Sequence, residues 1–254
     1  PTRFVDFMRV LVPMAGDDTT PEGEQVNIYG NHVGSWNFAA TAYLNRWKVK
    51  IYYEHYFDDH SQMFFQYGRW KDGHIGLEIT FPKNRFIDTF VYEGLGTKDQ
   101  TGPMLYDSFW GKFEEQISAK DNYYNHYLYQ GWQHWGMGIG NPLLPGPIYN
   151  KNGQITFISN RVLAHHIGFC GSPCQSLSYR MLLSYSRHWG TYDNPLNEIK
   201  KQFNSLFEVT YAPQQLKGWS FTVSGAMDRG NLLGNNYGGM LVIRKQGIIK
   251  SGNK

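Results

Sequence analysis

The feature that most constrains this chain is a two-residue alternation of apolar and polar side chains that returns along most of its length. Trp219, Phe221, Val223 and Met227 alternate with Ser220, Thr222, Ser224 and Asp228. Leu177, Tyr179, Met181, Leu183 and Tyr185 do so with Ser176, Ser178, Arg180, Ser184 and Ser186. Ile75, Leu77, Ile79 and Phe81 oppose His74, Gly76, Glu78 and Thr80, and Trp47, Val49, Ile51 and Tyr53 oppose Lys48, Lys50 and Glu54. A period of two over eight to twelve residues puts one kind of side chain on each face of a strand and fits no helix. The same reading marks ten extended segments: Thr2–Val12, Val33–Leu44, Trp47–Phe57, His74–Phe81, Arg85–Thr97, Asn160–Phe169, Gln175–Arg187, Lys201–Tyr211, Gly218–Asp228 and Asn236–Gln246. The fifth, sixth and tenth alternate poorly, which leaves their facing open.

The connectors add a second regularity. They run long, short, long, short along the chain. Asn45–Arg46, Pro82–Asn84, Cys170–Cys174 and Ala212–Lys217 are short; Pro13–His32, Asp58–Gly73, Lys98–Ser159, His188–Lys200 and Arg229–Asn235 are long. In an up-and-down meander alternate connectors lie at the same end of the sheet, so one end is trimmed and the other carries the elaboration. Outer-membrane barrels have this asymmetry. Aromatics fall near both ends of the strands: Trp47, Phe81, Phe86, Phe169, Tyr179, Tyr211 and Trp219 by the short turns, and Tyr53, Tyr185, Trp189, Phe203 and Tyr237 toward the long loops. Such bands are expected of side chains at two membrane interfaces.

The longest connector, residues 98–159, has no clean strand period and carries Tyr106, Phe109, Trp110, Phe113, Tyr123, Tyr124, Tyr127, Tyr129, Trp132, Trp135 and Tyr149. A connection of this length inside a compact domain is usually functional. It reads as a large loop mounted on a sheet that serves as its scaffold.

Composition narrows the class. Two hundred and fifty-four residues suffice for a substantial core, and the net charge of +3, spread evenly, gives no basic stripe for nucleic acid. Aromatics reach 17% while mean hydropathy stays negative, as a sheet with one apolar and one polar face requires. No apolar run is long enough for a membrane helix, which leaves a membrane β-barrel open. The alternative is a β-sandwich or lipocalin-like barrel with its apolar face inward. Ten strands of Trp, Tyr and Phe ladders would overfill a small barrel, whereas Lys48, Lys50, Glu54, Glu78, Arg180 and Glu208 suit a wet lumen. Turned to lipid at mid-depth, each basic residue costs roughly 2–4 kcal/mol. The expectation is therefore an all-β, antiparallel, up-and-down transmembrane barrel in one domain, residues 1–254, with a loop insertion at 98–159. The chain opens directly in an apparent strand without a visible signal peptide, and so reads as a fragment or a processed chain.

Several stretches resemble the capsule-assembly Wzi family of bacterial outer-membrane proteins, particularly its Bacteroidetes type. They are Gly30–Trp36, Tyr53–Asp59, Trp70–Gly73, Thr97–Pro103, Asp121–Asn125, Gly138–Pro142 and Tyr185–Tyr192. The resemblance implies a closed outer-membrane barrel of eighteen strands that binds capsular polysaccharide at the cell surface as a lectin. Ten strands would then be the C-terminal part. The chain departs from that pattern in ending Ile248-Ile249-Lys250-Ser251-Gly252-Asn253-Lys254, without a terminal aromatic. Ten strands of a larger barrel also leave two open edges, which lipid does not tolerate.

The chemistry in the loop suits sugar. Tyr123, Tyr124, Tyr127, Tyr129, Trp132 and Trp135 offer flat apolar faces beside Asn122, Asn125, His126, Gln130, Gln133 and His134. Pyranose rings pair an apolar face with hydroxyl edges, and aromatic plates flanked by amides and imidazoles match both. The competing reading is that these aromatics pack the loop against itself or plug the lumen. The polysaccharide-binding set expected from sequence is Asn122, Tyr123, Tyr124, Tyr127, Tyr129, Trp132, His134 and Trp135, with Trp132→Ala and Trp135→Ala weakening retention without unfolding the barrel.

No catalytic, cofactor or metal set emerges. Glu54, Glu78, Glu93 and Asp99 are candidate carboxylates for glycoside hydrolysis, but sequence gives no separation between them. No nucleophile elbow, Walker loop or zincin helix occurs. His165 and His166 point to opposite faces of one strand. Asp17, Asp18, Glu22 and Glu24 are either a calcium loop or a solvated face. Cys170 and Cys174 read as two loop thiols or a local disulfide, with no partners for zinc. The expected partners are surface polysaccharide and outer-membrane lipid, and the alternative function is a diffusion channel with the large loop as its constriction.

Overall fold

The computed structural model describes residues 3–12, 14, 17–20, 25, 33–57, 72–84, 86–100, 122–126 and 130–247. A short helix, α1 (Phe4–Leu11), comes first. The sheet strands are β1 (Gly34–Leu44), β2 (Trp47–Phe57), β3 (Gly73–Thr80) and β4 (Thr89–Gly96). After the small hairpin of β5 (Gln133–His134) and β6 (Met137–Gly138), the series continues with β7 (Val162–Cys174), β8 (Leu177–Gly190), β9 (Pro195–Tyr211), β10 (Trp219–Gly230) and β11 (Asn236–Lys245). Nine strands form one sheet in the order β1-β2-β3-β4-β7-β8-β9-β10-β11, antiparallel at every step. It is an up-and-down meander. Among the described residues β1 and β11 are each paired on one side only.

The strand expectation fails in three places. Residues 2–12 were expected to be extended, but Phe4–Leu11 is helical, because Phe4, Phe7 and Leu11 fall at helical spacing and Asp6 reaches back to the Arg3 N–H. That leaves nine sheet strands instead of ten. Cys170–Cys174, expected to be a turn, continues β7 through a register shift between Gly171 and Cys174, and both thiols are free. The long connector expected at His188–Lys200 shrinks to residues 191–194, since β8 and β9 run on to pair Gly190 with Pro195. Gly190, at φ +83, makes that corner in a conformation that L side chains rarely adopt.

The register settles every strand's facing. Paired residues share a face, so Phe38, Tyr53, Ile75, Gly94, His165, Tyr185, Phe203 and Arg229 form one row across the sheet. The next row on that face holds Ala40, Ile51, Leu77, Tyr92, Ile167, Leu183, Ser205, Met227 and Tyr237. Ala42, Val49, Ile79, Phe90, Phe169, Met181, Phe207, Gly225 and Gly239 follow. The charged residues of this face (Arg187, Lys201, Arg229 and Lys245) all stand at its two ends. The opposite face carries Lys48, Lys50, Glu54, His74, Glu78, Glu93, His166, Arg180 and Glu208. Lys48 pairs with Glu78 at 3.5 Å and Arg180 with Glu208 at 3.3 Å.

The packing is the reverse of a soluble sandwich. Ile51, Ile75, Ile167, Phe207, Val223, Leu241 and Ile243, all on the apolar face, are exposed. The buried cluster lies on the polar side, where Val162 and Ala164 of β7 meet Tyr124, Leu144 and Phe157 of the long connector. From Val162 to Gly168 the burial alternates along β7: Val162, Ala164 and Gly168 are buried, while His165 and Ile167 are exposed. Aromatics gather on the apolar face near the short turns. Trp47 meets Phe81 at 5.0 Å, Tyr179 lies between Phe169 and Phe207 at 6.4 Å from each, and Trp219 stacks on Phe221 at 6.3 Å.

Candidate functional site

The long connector is not a free-standing loop. Its described part lies on the polar face, held by a buried node at the long-connector end of the sheet. Asp72, just before β3, is 3% exposed. Its carboxylate accepts the Asp99 N–H at 2.9 Å, the Tyr123 O–H at 3.2 Å and the Gln100 N–H. Burial is the largest influence on this carboxyl and pushes it up to about 6, against the pull of the donors. Beside it, the Asn160 amide donates to Asn122 Oδ1 and the Tyr123 carbonyl at 2.5 and 2.8 Å. The Asn160 carbonyl accepts from Thr97 Oγ1 and Gln100 Nε2. Asn125 pairs its amide with both backbone groups of Phe157 at 2.8 Å, as a strand would. Tyr192 donates to the Asp99 carbonyl and lies 3.8 Å under the Arg161 guanidinium. Residues scattered from Asp72 to Tyr192 thus meet in one anchor.

The anchor divides the expected binding residues. Asn122 and Tyr123 belong to it. Tyr124 is buried between Trp132, stacked at 5.6 Å, and Phe157, edge-on at 5.1 Å, and its hydroxyl accepts the Asn141 N–H. For these residues the packing reading holds. Tyr127 and Tyr129 lie outside the described residues. His134 and Trp135 are exposed, Trp135 at 86%.

Trp135 and Gly136 form the two-residue turn of the β5–β6 hairpin, both with positive φ (51° and 79°). Such a turn matches the twist of its strands and normally takes Asn or Gly. A tryptophan there is strained as well as open to water. The Gly136 carbonyl accepts the Ile148 N–H at 2.8 Å, which seats the 3₁₀ turn Pro147–Tyr149 against the hairpin. That turn brings exposed Ile148 and Tyr149 next to the hairpin carrying exposed His134 and Trp135, whose rings meet edge-on at 6.2 Å, and this exposed set forms a platform. Sequence reading missed this role for Tyr149, because the backbone bond that sets it there leaves no trace in side-chain pattern.

Between the loop and the polar face lies a cavity of about 830 Å³. Its lining runs from Thr97 and Tyr123 at one end of the sheet to Thr89, Cys170 and Arg180 at the other. His74 stands between two carboxylates, with Nε2 3.4 Å from Glu93 and Nδ1 3.8 Å from Glu54. Ser35 donates to Glu54 at 2.6 Å, and Tyr52 donates to Glu93. His166 bonds Ser184 at 2.6 Å, while His165, on the other face, meets the Tyr92 hydroxyl at 2.8 Å. Glu78 is turned to Lys48, and Asp99 stands at the anchor through its backbone. Among the described residues no cluster of three metal-ligating side chains occurs. Asp17 is held by Arg9 at 2.9 Å and by Thr19, while Glu22 and Glu24 lie outside the described residues.

Compared with protein-family models, with curated proteins and with solved structures, this chain matches none.

Proposed function

We propose that this chain is part of the wall of a bacterial outer-membrane β-barrel of the Wzi type, and that its long connector binds capsular or other surface polysaccharide without catalysis. The observation that carries the membrane half of the reading is the open apolar face. Isoleucine, leucine and phenylalanine side chains forgo roughly 1.5–3 kcal/mol each when left in water, and a whole face of them calls for an apolar solvent. Strand β8 is 14 residues long, more than the roughly nine to eleven that a tilted membrane strand needs. β1 and β11, each paired on one side only among the described residues, support pairing with further strands.

The glycan half rests on Trp135. An exposed tryptophan in a backbone conformation better suited to glycine costs the fold both hydration and strain, and an aromatic plate edge-on to His134 at 6.2 Å fits a pyranose face. The test is retention of capsular polysaccharide on cells carrying Trp135→Ala. The expected result is loss of surface polymer with the protein still present in the outer membrane; unchanged retention removes the platform from the site. One observation favours a diffusion channel instead: the cavity runs along the polar face beneath an inward-folded loop. Planar-bilayer recording separates the two, since steady open-channel current from the purified protein counts for the channel.

A further inference from the structure

The cavity beneath the loop has two unlike sides. On the loop side Trp132, Leu143 and Leu144 present apolar surface. On the sheet side Glu54, His74, Glu93 and His166 present acceptors and imidazoles held in place by one another and by Ser35, Tyr52 and Ser184. We propose that this cavity is a second saccharide site, distinct from the Trp135 platform, for a short neutral or amine-bearing oligosaccharide. The proposal deepens the reading of the connector as glycan-handling machinery and rests on it.

Three features select the ligand. The volume is in the range of small-molecule sites, and the lining along the sheet suits a linear chain of rings more than a single one. A carboxylate offers about four acceptor positions, of which Ser35 occupies one at Glu54 while His74 stands 3.8 Å from the other oxygen, so vicinal hydroxyls find acceptors there. An alkyl chain in the same place would leave those groups buried without partners, which is costly. The ring's carbon face would then lie toward Trp132 and Leu144.

Charge selects further. The carboxylates, imidazoles and guanidinium facing the space are Glu54, Glu93, His74, His166 and Arg180, beside the phenols of Tyr56, Tyr123 and Tyr124 and the Cys170 thiol, and Arg180 is paired with Glu208. The inner part therefore holds two carboxylates with one imidazole between them. A uronate or sulfated sugar would set a third anion beside these two, whereas a sugar amine would meet them favourably.

Titration of the purified full chain in detergent with three probes tests this: a glucosamine trimer, its N-acetylated form and a galacturonate trimer, read by calorimetry and tryptophan fluorescence. The first two are expected to bind and the third not. Glu93→Gln is expected to weaken binding by about tenfold or more, as for a lost hydrogen bond to a charged group. Leu182→Trp, which fills the cavity from a side chain already 39% exposed, should abolish it; it also stands in should Glu93→Gln fail to fold. Galacturonate binding as tightly as the others, no trimer binding, or indifference to both substitutions overturns the site. Polymer retention on cells without trimer binding removes the cavity and spares the platform. Trimer binding that follows Leu182 and Glu93, without retention, does the reverse.

Discussion

Trp135 and Trp132 stand only three residues apart and do opposite work. Trp135 is open to water in a left-handed conformation that costs a bulky residue about 1–2 kcal/mol. Trp135→Asn is therefore expected to raise the midpoint of denaturant unfolding while polysaccharide retention falls; a fall in both would make the residue structural. Trp132 stacks on buried Tyr124 and roofs the cavity, so Trp132→Ala is expected to destabilise the connector by about 2–3 kcal/mol, visible as faster proteolysis around residues 122–160. The sheet itself is expected to stay folded in both Trp132→Ala and Trp135→Ala, with the loss confined to the connector in the first. Asp72 adds a pH dependence of unusual sign. Its folded value of about 6 lies above the ordinary 3.8, so the folded protein holds this proton more tightly than the unfolded chain does. The stability it contributes is complete below 3.8 and is lost as pH rises through about 6. Protection of the Asp99 and Gln100 amides against hydrogen exchange, corrected for intrinsic rate, should fall across that window and become flat in Asp72→Asn.

At the level of the strand, Gly76 shows how the polar face is assembled. An added Cβ there would sit 2.0 Å from the Tyr52 ring, because the ring crosses β3 at this glycine to reach Glu93 on β4. Gly76→Val should displace Tyr52, break its bond to Glu93 and cost about 1–3 kcal/mol in urea unfolding. Full stability in that variant would mean the ring has another resting place. The strands were legible in the sequence wherever one face met a uniform surroundings: the bounds of β2 agree residue for residue, and those of β1 within one. In β7 the strand was legible but its facing was not, because the loop buries one face and His165–His166 interrupts the pattern. The α1 segment misled because an eight-residue helix offers too few turns to outweigh an apolar run.

For the molecule as a whole, the decisive property is which face is left open. Val223 lies in the middle of the apolar face at 61% exposure. If that face meets lipid, Val223→Arg should cost roughly 2–4 kcal/mol and impair insertion into bilayers, while Leu206→Arg on the polar face is tolerated. If the face meets water, the two differ by little, and folding measured in lipid vesicles distinguishes these outcomes. The placement of Lys48, Glu54, Glu78, Arg180 and Glu208 together on the other face follows directly from strand parity, which is why it was readable in advance.

By itself the sequence determined the meander, the parity of its strands and the separation of apolar from charged faces, because a period of two is a local property of extended chain. Only the tertiary structure decided where the long connector lies and which of its aromatics remain free. Asp72, Asn122 and the Phe157–Asn160 segment are far apart in the chain, and the burial that makes Tyr123 and Tyr124 structural while leaving Trp135 exposed exists only once they meet.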